Sequence, residues 1–282
     1  MYKLKIENGN GDILELSNEK KIAIIGIDGL NPPDASIVMS SVAMNDGSRF
    51  NSAKVEKRNL VITMRLLKDV ERMRILLYKY FRIRQWCKIY FSNESRDVYC
   101  EGYVETFEND RFVMNNEVQV SIICPSPWFK QLDEVIFNMS LVLPMFEFPF
   151  AIEEEGVEFS VLQENILTEV VNGGDVETGL VLQLNATSEV INPRVYNADT
   201  HGMIGLNFTM QAGDVITIST IKGSKKVTLL REGVETNIIN ALMDDPDWFQ
   251  IPIGSTNFTY DCTSGSEFFS VTFIGQNLYG GV

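Results

Sequence analysis

A single histidine, His201, stands in a chain of 282 residues, within the turn-like run Asp199-Thr200-His201-Gly202. A serine or cysteine nucleophile needs a positioned base, so triad hydrolysis would have to be built around this one residue, and no Gly-x-Ser-x-Gly accompanies it. His201 is read as a turn residue. Carboxylates gather at Glu153-Glu154-Glu155 and at Asp244-Asp245-Pro246-Asp247. Paired acids hydrolyse glycosides and oxygen-rich loops hold calcium, but neither run has the EF-hand spacing, and consecutive acids in a loop usually face water. Cys87, Cys100, Cys124 and Cys262 are scattered, with no Cys-x-x-Cys pair, which removes zinc spacing and leaves small buried or half-buried side chains. Asp28-Gly29 and Asn172-Gly173-Gly174-Asp175 share only glycine content with phosphate loops. Neither metal nor cofactor is expected, and the chain is read as a non-enzyme.

Two candidate binding surfaces survive that reading. Trp248-Phe249, Phe268-Phe269 and Tyr279 bring aromatic area into the second half, and Trp248, beside Asp245 and Asp247, is the candidate carbohydrate contact because exposed rings stack on sugars. The plainer and favoured reading is that these rings fill a core. The second surface is basic: Arg65, Lys68, Arg72, Arg74, Lys79, Arg82, Arg84 and Lys88 are opposed only by Asp69 and Glu71. No aromatic stripe alternates with these residues as a nucleic-acid platform needs, and the net charge of −14 opposes a polyanionic partner. Arg72, Arg74 and Arg82 are therefore candidates for an assembly surface that meets acidic patches on a neighbouring subunit.

Those residues must be held by something, and the first half supplies alternation, turns and one helix. Asn8-Gly9-Asn10-Gly11-Asp12 is a hairpin turn between Leu4/Ile6 and Ile13/Leu14. Lys21–Ile27 is a strand, and Gly29–Ser36, with Pro32 and Pro33, is a loop. Ile37–Met44 and Val55–Leu67 are strand-like and enclose Asn45–Arg49, the turn of a long hairpin able to reach beyond its domain. Val70, Met73, Leu77 and Tyr80 recur at helical spacing, with Leu76 and Phe81 beside them and Asp69 as expected N-cap. Strands resume at Cys87–Phe91, Asp97–Glu108 and Phe112–Cys124. Pro125-Ser126-Pro127-Trp128-Phe129 then ends the ladder, since proline removes a donor and fixes φ. An α+β, split-barrel-like domain with one helix is expected over residues 1–132.

The second half, 133–282, is expected to be all-β. Short candidate strands recur about every ten residues from Gly156–Leu162 to Phe268–Ile274, separated by Gly, Asn, Asp and Pro, a spacing that suggests a sandwich. Charge divides the halves as sharply as pattern does. Residues 1–132 carry 19 Lys+Arg and 17 Asp+Glu, net +2, whereas residues 133–282 carry 5 and 21, net −16. No apolar run reaches membrane-span length, and Met1–Glu7 lacks the apolar segment of a signal peptide, so cytoplasmic synthesis as a soluble chain is expected.

The order of elements in residues 1–132 resembles the amino-terminal domain of siphophage distal tail (Dit) proteins. The resemblance rests on Gly26–Leu30 with Pro32 and Pro33, Asp46-Gly47 before Arg58–Ile62, the helical run Asp69–Phe81, the strand Lys88–Phe91, Glu101-Gly102-Tyr103-Val104-Glu105, and Ser121–Phe129. It implies a virion structural protein of the tail tip. Its amino-terminal domain would form a hexameric ring that docks on the tail-tube protein and binds the tail-tip protein, with no membrane partner. The carboxy-terminal domain would be a galectin-like or carbohydrate-module-like sandwich that projects outward to brace the ring or hold a receptor-binding protein. The alternative function is a host-surface, lectin-like carbohydrate-binding tail module.

Overall fold

The computed structural model describes residues 2–17, 20–41, 46–109, 116–139, 142–144, 160–162 and 167–282. The acidic triplet Glu153–Glu155 and most of the candidate strand Gly156–Leu162 lie outside the described residues. The fold is mainly β, with one α-helix among the described residues. It divides into two compact units, Met1–Leu132 together with Leu278–Val282, and Asp133–Asn277. The last five residues therefore do not belong with the second half, where the sequence had put them. Tyr279 pairs with Phe129 and Leu278 with Lys130, a two-residue ladder too short to announce itself by pattern. Those five residues carry no charged side chain, so the charges of +2 and −16 hold for the units as folded.

In chain order the first unit contains β1 (Lys3–Asn8), β2 (Ile13–Glu15), β3 (Ile22–Asp28), β4 (Ala35–Ser41), β5 (Ser48–Val55), β6 (Arg58–Leu66), α1 (Val70–Tyr80), β7 (Trp86–Ser92), β8 (Asp97–Asn109), β9 (Glu117–Cys124) and β10 (Phe129–Gln131). Its main sheet runs β2-β1-β7-β8-β9-β6-β3, antiparallel throughout. Alternation determines its inner face: Leu60, Ile62 and Met64 on β6 and Val118, Val120 and Ile122 on β9 are buried. Ladder irregularities at Ile24/Gly26 and Val104/Thr106 curve the sheet. Its two ends face one another across a groove of about 630 Å³ lined by Leu4, Leu16, Ile22 and Ile24, the gap of a split barrel.

Helix α1 packs against β1 and β6 through buried Met73 and Leu77, with Phe81 buried just beyond its end. Asp69 stands at the N-cap position but does not cap. Its backbone is left-handed (φ 50°) and its carboxylate pairs with Lys21 Nζ at 2.7 Å, which takes the oxygen away from the helix amides. At the first hairpin, Asn8 Oδ1 accepts from the backbone N–H groups of Asn10 and Asp12, both at 3.0 Å.

Arg58, at the start of β6, is only 3% exposed. Its Nε donates to Pro127 O (2.7 Å), its Nη atoms to Gly29 O, Asn31 O (2.8 Å) and Gly280 O (2.5 Å), and its guanidinium lies 4.2 Å over the Phe129 ring. One buried cation thus ties the Gly29–Asn31 loop, the Pro125–Phe129 stop and the returning carboxy-terminal residues together. Arg96 reinforces the last of these, donating to Gly281 O at 2.5 Å and stacking over Tyr279.

The second unit is a two-sheet sandwich. One sheet orders Val135–Asn138, Phe269–Gly275, Thr178–Ala186, Val215–Ser219, Lys226–Arg231 and Val234–Asn237; the other orders Thr168–Asn172, Gly254–Asp261, Arg194–Asn197 and Met203–Gly205. Alternate residues from both, Leu182, Ile216 and Phe273 on one side and Val170, Val195 and Phe258 on the other, share one core. The Phe258 and Phe273 rings span it with centroids 4.8 Å apart. Asp214, 1% exposed by side chain, receives Arg231 Nε at 2.8 Å and Nη2 at 2.5 Å.

Candidate assembly surface

The hairpin is shorter and differently built than its sequence suggested. Its second arm is Ser48–Val55, not Val55–Leu67; after Glu56-Lys57, Arg58–Leu66 joins the main sheet instead. The reason is a bulge. Val38 pairs with Ser52 but Met39 pairs with Phe50, so Asn51 is an extra residue and the period-two pattern slips by one.

That slip has a chemical result. Directly paired residues of a ladder share a face. One face of the ribbon therefore carries Ala35/Val55, Ile37/Ala53 and Met39/Phe50, and the other carries Ser36/Lys54, Val38/Ser52 and Ser40/Arg49. Phe50 and Ala53, three positions apart, would lie on opposite faces of a regular strand. Ser40 Oγ lies 3.2 Å from Asn51 Oδ1 on the polar side. Ile37, Met39 and Phe50 are 54%, 57% and 60% exposed, so the apolar face looks into solvent. A two-stranded ribbon with an uncovered apolar face is unstable in water unless something packs on it.

The basic candidates separate by geometry. Arg74 is turned inward: its side chain is 14% exposed, pairs with Glu71 three residues back, and lies over the Tyr78 ring. Its engagement within its own helix makes it a structural residue, which sequence spacing alone did not reveal. Arg72 and Arg82 are exposed. Arg72 borders a groove of about 420 Å³ with Lys21, Ile75, Leu76 and Lys79, and Arg82 borders one of about 470 Å³ with Tyr78, Ile83 and Phe107. Ile75 and Ile83 are 54% and 48% exposed, so apolar and cationic groups alternate on this surface, a composition suited to protein contact.

Trp248 is half-buried against the sandwich core, and Lys225 Nζ sits 4.8 Å over its ring. One face of the ring is thus met by an ammonium. Its neighbours Asp245 and Asp247 are exposed. His201 is an exposed turn residue with φ 61°, its N–H bonded to Asn197 O at 2.9 Å. No helix among the described residues is long and apolar enough to cross a membrane.

Comparison with known proteins adds to this geometry. Residues 173–275 match the family model of the siphovirus-type tail component, C-terminal domain. No curated protein matches the chain. Among solved structures the chain is similar to the crystal structure of the Dit protein of phage SPP1, described as a paradigm of the hub adsorption apparatus of phages infecting Gram-positive bacteria. That likeness has TM-score 0.69 at 13% identity and covers 97% of this chain and 98% of that one. It is also similar to chains of the phage P2 baseplate in its activated conformation. With calcium the TM-score is 0.53 at 9% identity, covering 98% of both chains; with strontium it is 0.54 at 8%, covering 97% and 98%. At such identities the likeness is one of fold.

Proposed function

We propose that the chain is a structural protein of the phage tail, related to the siphovirus-type tail component whose C-terminal-domain model residues 173–275 match, and that it forms the hub ring of the tail tip. In this reading six copies close through their first units. The ring joins the tail-tube protein on one side to the tail-tip protein, and through it the receptor-binding apparatus, on the other.

The observation that carries the proposal is the β4–β5 ribbon, whose Ile37, Met39 and Phe50 face solvent on one side of a two-stranded sheet. A neighbouring copy that covers this face removes the apolar area from water and supplies what the ribbon's own chain does not. Electrostatics supports the division of labour. First units at +2 pack repeatedly with little accumulated charge, whereas second units at −16 repel and are best held apart at larger radius. Arg72 and Arg82 then serve as cationic rim contacts.

Light scattering and negative-stain images of the purified full-length protein test the reading. A ring with six times the mass of the 31.9 kDa chain is expected. A monomer at high concentration that also forms no ring with the tail-tube protein would refute it.

A further inference from the structure

Three cysteines meet inside the first unit, and two of them are arranged for chemistry. Cys87 on β7 lies opposite Gly102 on β8, and Cys124 on β9 lies opposite Arg58 on β6. Gly102 opens the space between them: a Cβ there would stand 2.9 Å from Cys124 Sγ and 2.8 Å from Ile122 Cγ2. Through that gap Cys100, two residues along β8, reaches Cys124, and the two thiols are hydrogen bonded with sulfurs 3.8 Å apart. Both are buried, at 2% and 0% exposure.

We propose that Cys100 and Cys124 are an oxidisable pair that a hydroperoxide closes to a disulfide, tying β8 to β9 across 24 residues of chain. The steps balance with the peroxide as sole oxidant. The Cys124 thiolate attacks a peroxide oxygen, the O–O bond breaks, and hydroxide leaves, giving a sulfenic acid. Cys100 sulfur then attacks Cys124 sulfur; the S–S bond forms, the S–O bond breaks, and the sulfenic oxygen departs as water with the Cys100 proton. Two thiols have lost two electrons, and one hydrogen peroxide has become two waters.

The surroundings assign the roles. The hydrogen bond with Cys100 holds Cys124 below the ordinary thiol range against its burial, and the Arg58 charge acts in the same direction. The same bond, joined by burial, pushes Cys100 up, making it the proton-bearing, resolving partner. Burial pushes Cys87 up to about 12, so it stands by as a thiol. Closing requires the sulfurs to move from 3.8 Å to about 2 Å, with strands β8 and β9 shifting as far as disulfide geometry demands. A tail protein leaves a reducing cytoplasm when its particle is released, and the pair would respond to that change.

The test exposes folded full-length protein to hydrogen peroxide, quenches with acid, alkylates in denaturant and maps peptides by mass. Free thiols should fall from four to two, with a Cys100–Cys124 cross-linked peptide that a dithiol reductant reopens. In Cys100→Ser, dimedone should trap a sulfenic acid at Cys124; in Cys124→Ser, Cys100 should stay unlabelled under the same exposure. Four alkylated cysteines after peroxide treatment, or a cross-link that forms only when peroxide is added in denaturant, would overturn the proposal. Should either variant fail to fold, the wild-type cross-link decides alone.

Discussion

Removing Arg58 is the sharpest available test of how the first unit is held together. Arg58→Met keeps much of the side chain's apolar length but leaves the Pro127, Gly29, Asn31 and Gly280 carbonyls without their shared donor. Hydrogen bonds to a charged donor contribute about 1.5–3 kcal/mol each. Water can reach the partly exposed ends of this cluster and recover some of that, and methionine retains contact with Phe129. The loss should therefore resemble the breaking of one buried polar hub, about 4 kcal/mol, not the sum of four bonds. With a urea slope of ~2 kcal/mol per molar, the unfolding midpoint of the first unit falls by about 2 M. Fluorescence in a Trp248→Phe background reports on this unit alone, because Trp86 and Trp128 are the remaining tryptophans. Arg58→Lys, which keeps the charge but not the fork, should lose about half as much. A midpoint shift equivalent to less than ~1 kcal/mol in Arg58→Met would refute the reasoning, since the four carbonyls would then be satisfied without the guanidinium.

Further perturbations separate assembly from folding. Ile37→Asp with Phe50→Asp should leave the far-ultraviolet circular dichroism of the protomer unchanged, because both are exposed in the single chain, yet should reduce the native mass seen by light scattering and remove whatever share of the melting temperature assembly supplies. Arg72→Glu with Arg82→Glu should weaken assembly in a salt-dependent manner, whereas Arg74→Glu should lower the melting temperature by placing a carboxylate beside Glu71 and Tyr78. In the second unit, Arg231 holds the Asp214 carboxyl below its ordinary value. The pair's contribution is complete above the unfolded carboxyl value near ~3.9 and is lost as pH falls through the lower folded value. Asp214→Asn should thus cost about 2 kcal/mol at neutral pH, with the difference from wild type shrinking in acid denaturation curves below about pH 4.

What the sequence disclosed and what it hid follow from the range of each signal. Val118/Val120/Ile122 and Met73/Leu77 announce their faces because each lies within one regular element whose period is unbroken. Ser48–Val55 stays hidden because the bulge at Asn51 shifts its phase and only Phe50, Ala53 and Val55 are apolar. Thr168–Asn172 is masked by the Asn-Gly-Gly turn that follows it, and Leu278–Tyr279 is too short for any period. Arg58 reads locally as another charged residue in a basic half. Its meaning depends on Gly280, 222 residues away, a separation that no window of the chain can span. The assembly candidates were legible as a basic run, but spacing could not tell inward-turned Arg74 from exposed Arg72 and Arg82.

Because residues 278–282 complete the first unit, translation order becomes a form of inspection. The ribosome makes every strand of the second unit before it delivers Tyr279 and Gly280, so the earlier-made unit waits for the later one. A nascent chain stopped short of this point lacks the β10 partner, one Arg58 acceptor and the Arg96 contact to Gly281. Those contacts belong to the very unit through which the proposed ring would close. In the proposed ring, a subunit made without these five residues would leave its closing contacts unsupported.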